Sequence, residues 1–534
     1  MKALEGTGRL VRHLLRRERF IASTWIALVV LMVVGTLHQY ARVFPTEQAR
    51  ESFAEFIHQN RLLLAFSGQL SAPSLAGLAA WKISDTLYTL LPLLTVLTVV
   101  RHTRAEEESG RYELLAACGI GRHASLTATL LVACGANVLA GLLSALGWMH
   151  AGCDPYGSLL FGCALAAPGC VFAMVAAVMA QLSASARTAH GASFVWLGVG
   201  YLLRFMADGT GQTWLKWLSP QGWSHQLRPF SENRGWVLAL PLTAMLVLGG
   251  TAYVLAERRD LGTGVLPARP GPAEAPGLTG PVALAWRLQR GMLWGWVVGF
   301  AALGALMGGV AHGVWDAGSR SPWWHELYRR YSGSLETPFV DVFLWILVLS
   351  LGYSATLHPI LATLRLTSEE ESGRAELVLA TPVSRWRWMA SHLVFVGLGP
   401  VAVMFATGLA AGLAHGVNTG AVGVQVPRLI GAALVQVPAI WVVGAVSVFA
   451  QGALPRRATA ISWSVFIFIN VFGEVLGPVL HLDYDVADQA IPFHHLPKVL
   501  SGGPLAWTPL LVLTGLAVLL GALGLWTFRR RDLG

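Results

Sequence analysis

Glu106-Glu107-Glu108-Ser109-Gly110-Arg111 returns as Glu369-Glu370-Glu371-Ser372-Gly373-Arg374, 263 residues further on. Each copy follows a long apolar run and precedes another. Each is trailed by Glu (Glu113, Glu376), Leu (Leu114, Leu377) and Arg (Arg122, Arg385) at matching offsets. Working outward, further repeats fall into register. Arg19 matches Arg290, Gln181 and Arg187 match Gln451 and Arg457, and Pro220 matches Pro492. The run Arg258-Arg259-Asp260-Leu261-Gly262 reappears as Arg530-Arg531-Asp532-Leu533-Gly534. Such self-similarity marks a duplicated unit.

The chain of 534 residues is 54% hydrophobic and 13% charged, whereas soluble domains carry about 25% charge. Apolar runs long enough to cross a bilayer recur along its whole length. The predicted fold is therefore an all-α membrane protein of about twelve spans, as two parallel six-span repeats. Predicted spans in the first half are 20–38, 80–100, 123–148, 158–181, 189–207 and 236–256. Those in the second half are 291–312, 340–360, 388–414, 428–451, 459–478 and 505–527. Residues 262–282 read as a linker, with Pro267, Pro270, Pro272 and Pro276 among small residues. The two transmembrane halves are then 1–261 and 283–534. An even number of spans per half puts both chain ends on one side, related by an axis along the membrane normal rather than inverted.

The net charge of +9 does not imply nucleic acid, because the excess Arg sits in short segments between apolar runs. That placement follows the positive-inside rule and puts both termini and both acidic stretches in the cytoplasm. Arg9, Arg12, Arg16, Arg17 and Arg19, opposite Leu10, Val11, Leu14 and Leu15, predict an amphipathic interfacial helix before the first span. No small-residue cleavage site follows, and a similar junction recurs internally at Arg287 and Arg290, so the first run is read as a span rather than a signal peptide. The five cysteines lie in the first half without a CxxC pair, and no metal-ligand spacing is present.

The acidic stretch reads as a short cytoplasmic helix, with Thr103 or Ser368 capping its start and carboxylates in its first turn. Glu106, Gly110, Glu113 and Leu114 then share a face, as do Glu369, Gly373, Glu376 and Leu377. A mid-helix glycine costs about 1 kcal/mol relative to Ala, so its presence in both copies predicts a closely approaching surface. Each helix is expected to end near Gly119 or Pro382, before Arg122 or Arg385 anchors the next span.

Glu-x-x-x-Gly-x-x-Glu-Leu followed by Thr381-Pro382-Val383-Ser384-Arg385 resembles the coupling-helix motif of ATP-binding-cassette exporter permeases. The doubled form with the Glu-Glu-Glu-Ser-Gly-Arg run resembles the actinobacterial permeases that export polyketide antibiotics, the tetronasin-export kind. The resemblance covers essentially the whole chain. It implies a permease subunit that moves amphipathic drugs or antibiotics outward through the cell membrane, and so a role in antibiotic resistance. A separate ATPase chain, in two copies, would bind ATP and Mg and dock on segments 103–122 and 366–385. The residues this assigns to ATPase coupling are Glu106, Glu107, Glu108, Gly110, Arg111, Glu113, Leu114 and Arg122. In the second half they are Glu369, Glu370, Glu371, Gly373, Arg374, Glu376, Leu377, Pro382 and Arg385. The first half has Cys118-Gly119-Ile120-Gly121 in place of Thr-Pro-Val-Ser, so the two contacts need not be equivalent. No Gly-Lys-Ser/Thr phosphate loop occurs, so this chain is expected not to be an enzyme on its own. Leu500-Ser501-Gly502-Gly503 resembles the cassette signature but ends in Pro504 beside a span, outside any nucleotide domain.

Ionisable residues within spans are candidate pathway groups. Arg204 and Glu474 occupy equivalent positions and are read as a candidate gate pair between the halves. Asp85 and His358 are further gate or pathway candidates, the latter beside Pro359, which is placed to kink its span. Rival readings are an ion-coupled secondary transporter, a mechanotransmitting permease that moves no substrate, and a membrane enzyme acting on lipids.

Overall fold

The computed structural model describes residues 3–59, 61–116, 119–260, 262–266, 274–311, 331–332, 337–471 and 490–531. The chain divides into two compact units, Met1–Gly271 and Pro272–Gly534. Among the described residues every regular element is helical.

In the first unit the long helices are α1 (Thr7–Val43), α4 (Leu75–His102), α7 (Ala124–His150), α8 (Pro155–Leu182), α9 (Ala186–Thr210) and α11 (Ala239–Arg258). Between α1 and α4 lie α2 (Glu47–Gln59) and α3 (Arg61–Ser67), and between α9 and α11 lies α10 (Pro220–Gln226). The acidic stretch forms α5 (Arg104–Glu108) and α6 (Arg111–Ala116). The second unit runs α12 (Pro281–Val310), α13 (Phe339–Ala355), α14 (Leu357–Glu371), α15 (Arg374–Leu379), α16 (Arg385–Thr419), α17 (Val422–Leu434), α18 (Val437–Ala453), α19 (Pro455–Val471) and α20 (Trp507–Arg530). Pro359 has no N–H, and the eighth predicted span is divided into α13 and α14 three residues before it, at Thr356.

Among the described residues ten helical stretches are long and apolar enough to cross a membrane. The fifth predicted span, α9, is a 25-residue helix outside this set, because it carries Arg204, Asp208 and several polar residues. The eleventh is described only as far as Val471. The basic N-terminal segment, expected as a separate interfacial helix, continues into the first span as one 37-residue helix. At about 1.5 Å per residue α1 is about 55 Å long, so it extends well beyond a hydrocarbon core of about 30 Å.

α8 lies at the centre of the first unit, against α4, α7, α9 and α11. Small residues let it sit there. A Cβ on Gly141 of α7 would lie 2.2 Å from the Gly162 carbonyl oxygen of α8, and one on Gly162 would lie 2.5 Å from that of Gly141. Buried Asn137 adds a polar tie, donating to the Thr95 hydroxyl at 2.8 Å and so joining α7 to α4. In the second unit Gly408, Gly412 and Gly416 line α16 where it meets α17. A Cβ on Gly412 would come within 2.7 Å of the Val426 Cα. Dispersion at such backbone contacts drives helix pairing in lipid, where no hydrophobic effect separates one apolar surface from another.

Gly412→Leu should force α16 from α17 and cost about 1–3 kcal/mol through overpacking. Thermal unfolding in detergent should shift down, whereas Gly397→Ala, with open space around it, should leave the midpoint unchanged.

Candidate functional site

Both acidic stretches break at their glycine. Gly110 and Gly373 adopt φ of 73° and 70°, left-handed backbone that a side chain disfavours, and a Cβ on either would meet nothing within 4 Å. Within the chain no surface approaches either glycine, and the left-handed backbone accounts for the residue: the glycines serve a turn. The single continuous helix is corrected, since α5 and α6, like α14 and α15, are separated by Ser-Gly. Nor do the expected caps form. The Thr103 hydroxyl donates back to the Val99 carbonyl at 2.7 Å, and Ser368 lies inside α14.

Successive helical residues turn by about 100°, so three glutamates in a row point three ways. In the first unit each finds a different span. Glu106 is buried and accepts from Arg17 of α1. Glu107 accepts both arms of the Arg259 guanidinium at 2.8 and 2.5 Å, and Arg104 at 2.8 Å. Glu108 accepts the backbone N–H of Ala186, the first residue of α9, at 3.0 Å. Beside Glu106, Glu18 of α1 is buried against His102 at the end of α4, 2.7 Å away.

The middle glutamate pairs with the equivalent arginine in both units, through two arms in the first and one in the second. Glu370 accepts from Arg531, the residue equivalent to Arg259. The repeated glutamine joins the contact: Arg259 donates through Nε to Gln181 Oε1 at 2.5 Å, and Arg531 donates to the Gln451 carbonyl at 2.8 Å. Arg122 donates to the carbonyls of Ala256, Glu257 and Arg259, and Arg385 to that of Arg531, so each satisfies orphan carbonyls at the end of the last helix of its unit. Three repeats that lie far apart in sequence thus meet at one point in each unit. A cavity of about 430 Å³ borders the pair in the first unit, lined among others by Glu107, Tyr112, Arg122, Gln181 and Arg259. Burial pushes the Tyr112 hydroxyl above its ordinary pKa, and Glu107 adds to the shift.

The coupling residues therefore split into two sets. Glu106, Glu107, Glu369 and Glu370 face inward, and Arg122 and Arg385 act as caps. Arg111, Glu113, Glu371, Arg374, Glu376 and Pro382 are exposed, and Leu377 is 74% exposed. Glu108 is exposed while capping α9. The backbone at Leu114 belongs to α6, and its side chain lies outside the described residues.

The units differ where Thr-Pro-Val-Ser is replaced. In the first, Gly121 donates its N–H to the Glu5 carbonyl at 2.9 Å and His123 donates to that of Ala3 at 3.0 Å. Ile120 packs against the Leu10–Leu14 cluster. In the second, Thr381, Pro382 and Ser384 are exposed.

At the far end of the first unit, Arg204 is fully buried. It pairs with Asp85 of α4 at 2.9 Å and donates to the carbonyls of Ala65 and Phe66 at 2.9 and 3.1 Å. Asp208 lies 3.6 Å away, also pairs with Lys216, and His225 stands 3.7 Å from Asp85. Glu474, the expected gate partner of Arg204, lies outside the described residues, and Arg204 is engaged within its own unit. Sequence reasoning missed Asp208, Lys216 and His225. The signals were an i, i+4 Arg–Asp pair inside an apolar run and one of only four lysines. His358 is buried between Gly399 and Trp296, and neither ring nitrogen has a hydrogen-bond partner among the described residues. Among the described residues no cluster of metal-ligating side chains occurs.

A chain of two helical units, each with apolar spans bound to a charged segment at one end, defines a multi-pass membrane protein. Residues 278–529 match the family model for the multidrug efflux system permease Rv1217c, C-terminal domain. The chain is 40% identical over 535 residues to the multidrug efflux system permease protein Rv1217c of Mycobacterium tuberculosis, covering 99% of this chain and 95% of that one. It belongs to that family of multidrug efflux permeases and is the permease of an efflux transporter.

Gly110→Ala and Gly373→Ala should each cost about 1 kcal/mol through the left-handed backbone. Amide exchange in α6 and α15 should rise, and Asn at the same positions should be tolerated better. Arg204→Met should leave Asp85 and Asp208 short of a cation and cost about 3–5 kcal/mol. The thermal midpoint in detergent should then fall well below that of an exposed change such as Arg187→Met.

Proposed function

We propose that this chain forms both membrane halves of an ATP-driven exporter of amphipathic drugs or antibiotics, with ATP and Mg bound and hydrolysed on a separate ATPase subunit present in two copies. It lies in the inner membrane with both termini cytoplasmic. The exposed edges of the acidic segments are the docking surface: Glu108, Arg111 and Glu113 in the first half, and Glu371, Arg374, Glu376 and Leu377 in the second. The observation that carries this reading is Leu377, an apolar side chain three-quarters exposed among charges on a short helix outside the spans. A solvated charge run has no need of it, whereas an apolar anchor ringed by charge suits a protein partner. Buried Asp208 and partly buried Asp85 are acids of the kind an ion-coupled transporter uses. Their pairing with Arg204 and Lys216 favours a structural role instead.

The second segment is the stronger dock, because its Thr-Pro-Val-Ser turn is open while the first is tied to residues 3–5. Glu376→Lys should lower ATP turnover of the co-purified complex about tenfold, and Glu113→Lys should lower it less. Turnover measured in proteoliposomes checks both. A complex indifferent to the two reversals, or efflux driven by a proton gradient without ATP, refutes the docking assignment.

A further inference from the structure

We infer that Arg259 and Arg531 are positioning residues that deliver movement of the acidic segments to the fourth and sixth long helices of each unit. This rests on the docking role proposed above and adds the route by which a stroke at that surface enters the membrane.

The contact is the part of the acidic motif that both units share. Glu106 binds Arg17, but its counterpart Glu369 binds Arg365 and Arg374 of its own segment. Glu108 caps α9, while Glu371 is exposed. Among the described residues only the middle glutamate keeps its partner, and in both units that partner is the arginine directly before Asp-Leu-Gly. A pair that served local stability alone had the same freedom to diverge as its two neighbours.

The geometry also closes a loop. The last helix is gripped from both flanks of the acidic segment: Glu107 or Glu370 before the glycine turn, Arg122 or Arg385 after it. The segment cannot shift as a body without pulling the end of α11 or α20. The same arginines reach Gln181 and Gln451 at the ends of α8 and α18. In the first unit the chain beyond the arginine is laid along α8 as well, Val265 and Leu266 donating to the carbonyls of Gln181 and Leu182 at 3.0 Å each. Since α8 is the most buried span of its unit, a tilt imposed there is felt by all its neighbours. The two arms of Arg259 on one carboxylate fix direction as well as distance, which a single-point contact does not. Both side chains are more than nine-tenths withdrawn from water, so salt screens the pair little.

The test uses the full chain with the ATPase that co-purifies with it, in lipid nanodiscs, followed by hydrogen exchange with and without ATP. In the unaltered complex ATP should change exchange in the acidic segments (104–116 and 374–379) and in the last-helix ends (252–258 and 524–530). In Arg259→Gln/Arg531→Gln the change at the acidic segments should persist, while that at the helix ends falls about fivefold or more. Arg→Lys, which keeps charge but loses the two-armed grip, should fall between. The exchanged pairs Glu107→Arg/Arg259→Glu and Glu370→Arg/Arg531→Glu should restore part of the response, which a variant that merely folds poorly would not allow. Helix-end responses that survive Arg→Gln overturn the inference while leaving docking intact. Loss of the ATP response in Glu376→Lys together with Arg→Gln variants that behave like the unaltered chain isolates the same failure. An absent response at the acidic segments of the unaltered complex refutes the docking reading itself and the inference with it.

Discussion

A carboxylate withdrawn from water at the end of a membrane helix must find a cation, and in each unit it finds the arginine that ends the last span. Much of the surrounding structure is arranged to make that meeting. The glycine turn redirects the chain directly after the glutamates, so that α6 and α15 leave the contact instead of covering it. Arg122 and Arg385 hold the arginine's own backbone, which fixes where its side chain begins. Gln181 and Gln451 hold it from the side, and Arg104 supplies a second cation to Glu107 in the first unit. Removing one member of such a set leaves a buried charge whose desolvation is no longer offset, which is why the cost exceeds that of a surface pair.

Around this shared contact the two units have diverged, and the divergence has a local cause. Arg17 on α1 binds Glu106, whereas the register set by Arg19 and Arg290 puts Leu288 at the corresponding place in the second unit. Without that cation Glu369 turns to Arg365 one turn before it and Arg374 just beyond the glycine. The same register replaces Glu18 by Gln289, and the buried Glu18–His102 pair gives way to a Gln289–His392 contact between α12 and α16. First and third spans are thus joined in the second unit by a neutral hydrogen bond, where first and second are joined by a charged one in the first unit. Changes at two adjacent positions of the first span thus accompany the rerouted links between three helices.

The duplication, the helical class and the position of the acidic segments were legible because membrane spans advertise themselves by composition, and because repeats survive in short charged runs. The division of those segments into inward and outward residues was not. Glu106, Glu107 and Glu108 look alike in sequence, and only their distinct directions on one turn decide which is a lock and which a surface. The glycine was legible as unusual but not as a turn, since a helix interior and a helix break ask for the same residue for different reasons. Arg204 was legible as a buried charge. Its partners come from α4, from the backbone at Ala65–Phe66 and, through Asp208, from Lys216, a set that no periodicity brings together.

That network bears on what the first unit can do. Asp85, Arg204, Asp208 and Lys216 balance their charges inside a region that hydropathy reads as membrane, and they tie α4, α9 and the segment carrying Ala65 and Phe66 into one block. Separating these elements would expose unpaired charge to an apolar surrounding, so this end of the unit resists opening. At the opposite end Glu107 and Arg259 border a cavity of about 430 Å³ that leaves space for side chains to rearrange. Within the first unit, then, the stiff end and the yielding end are set by the same physics. Charge paired across several elements holds helices together, and charge that borders open volume lets a bound partner move them.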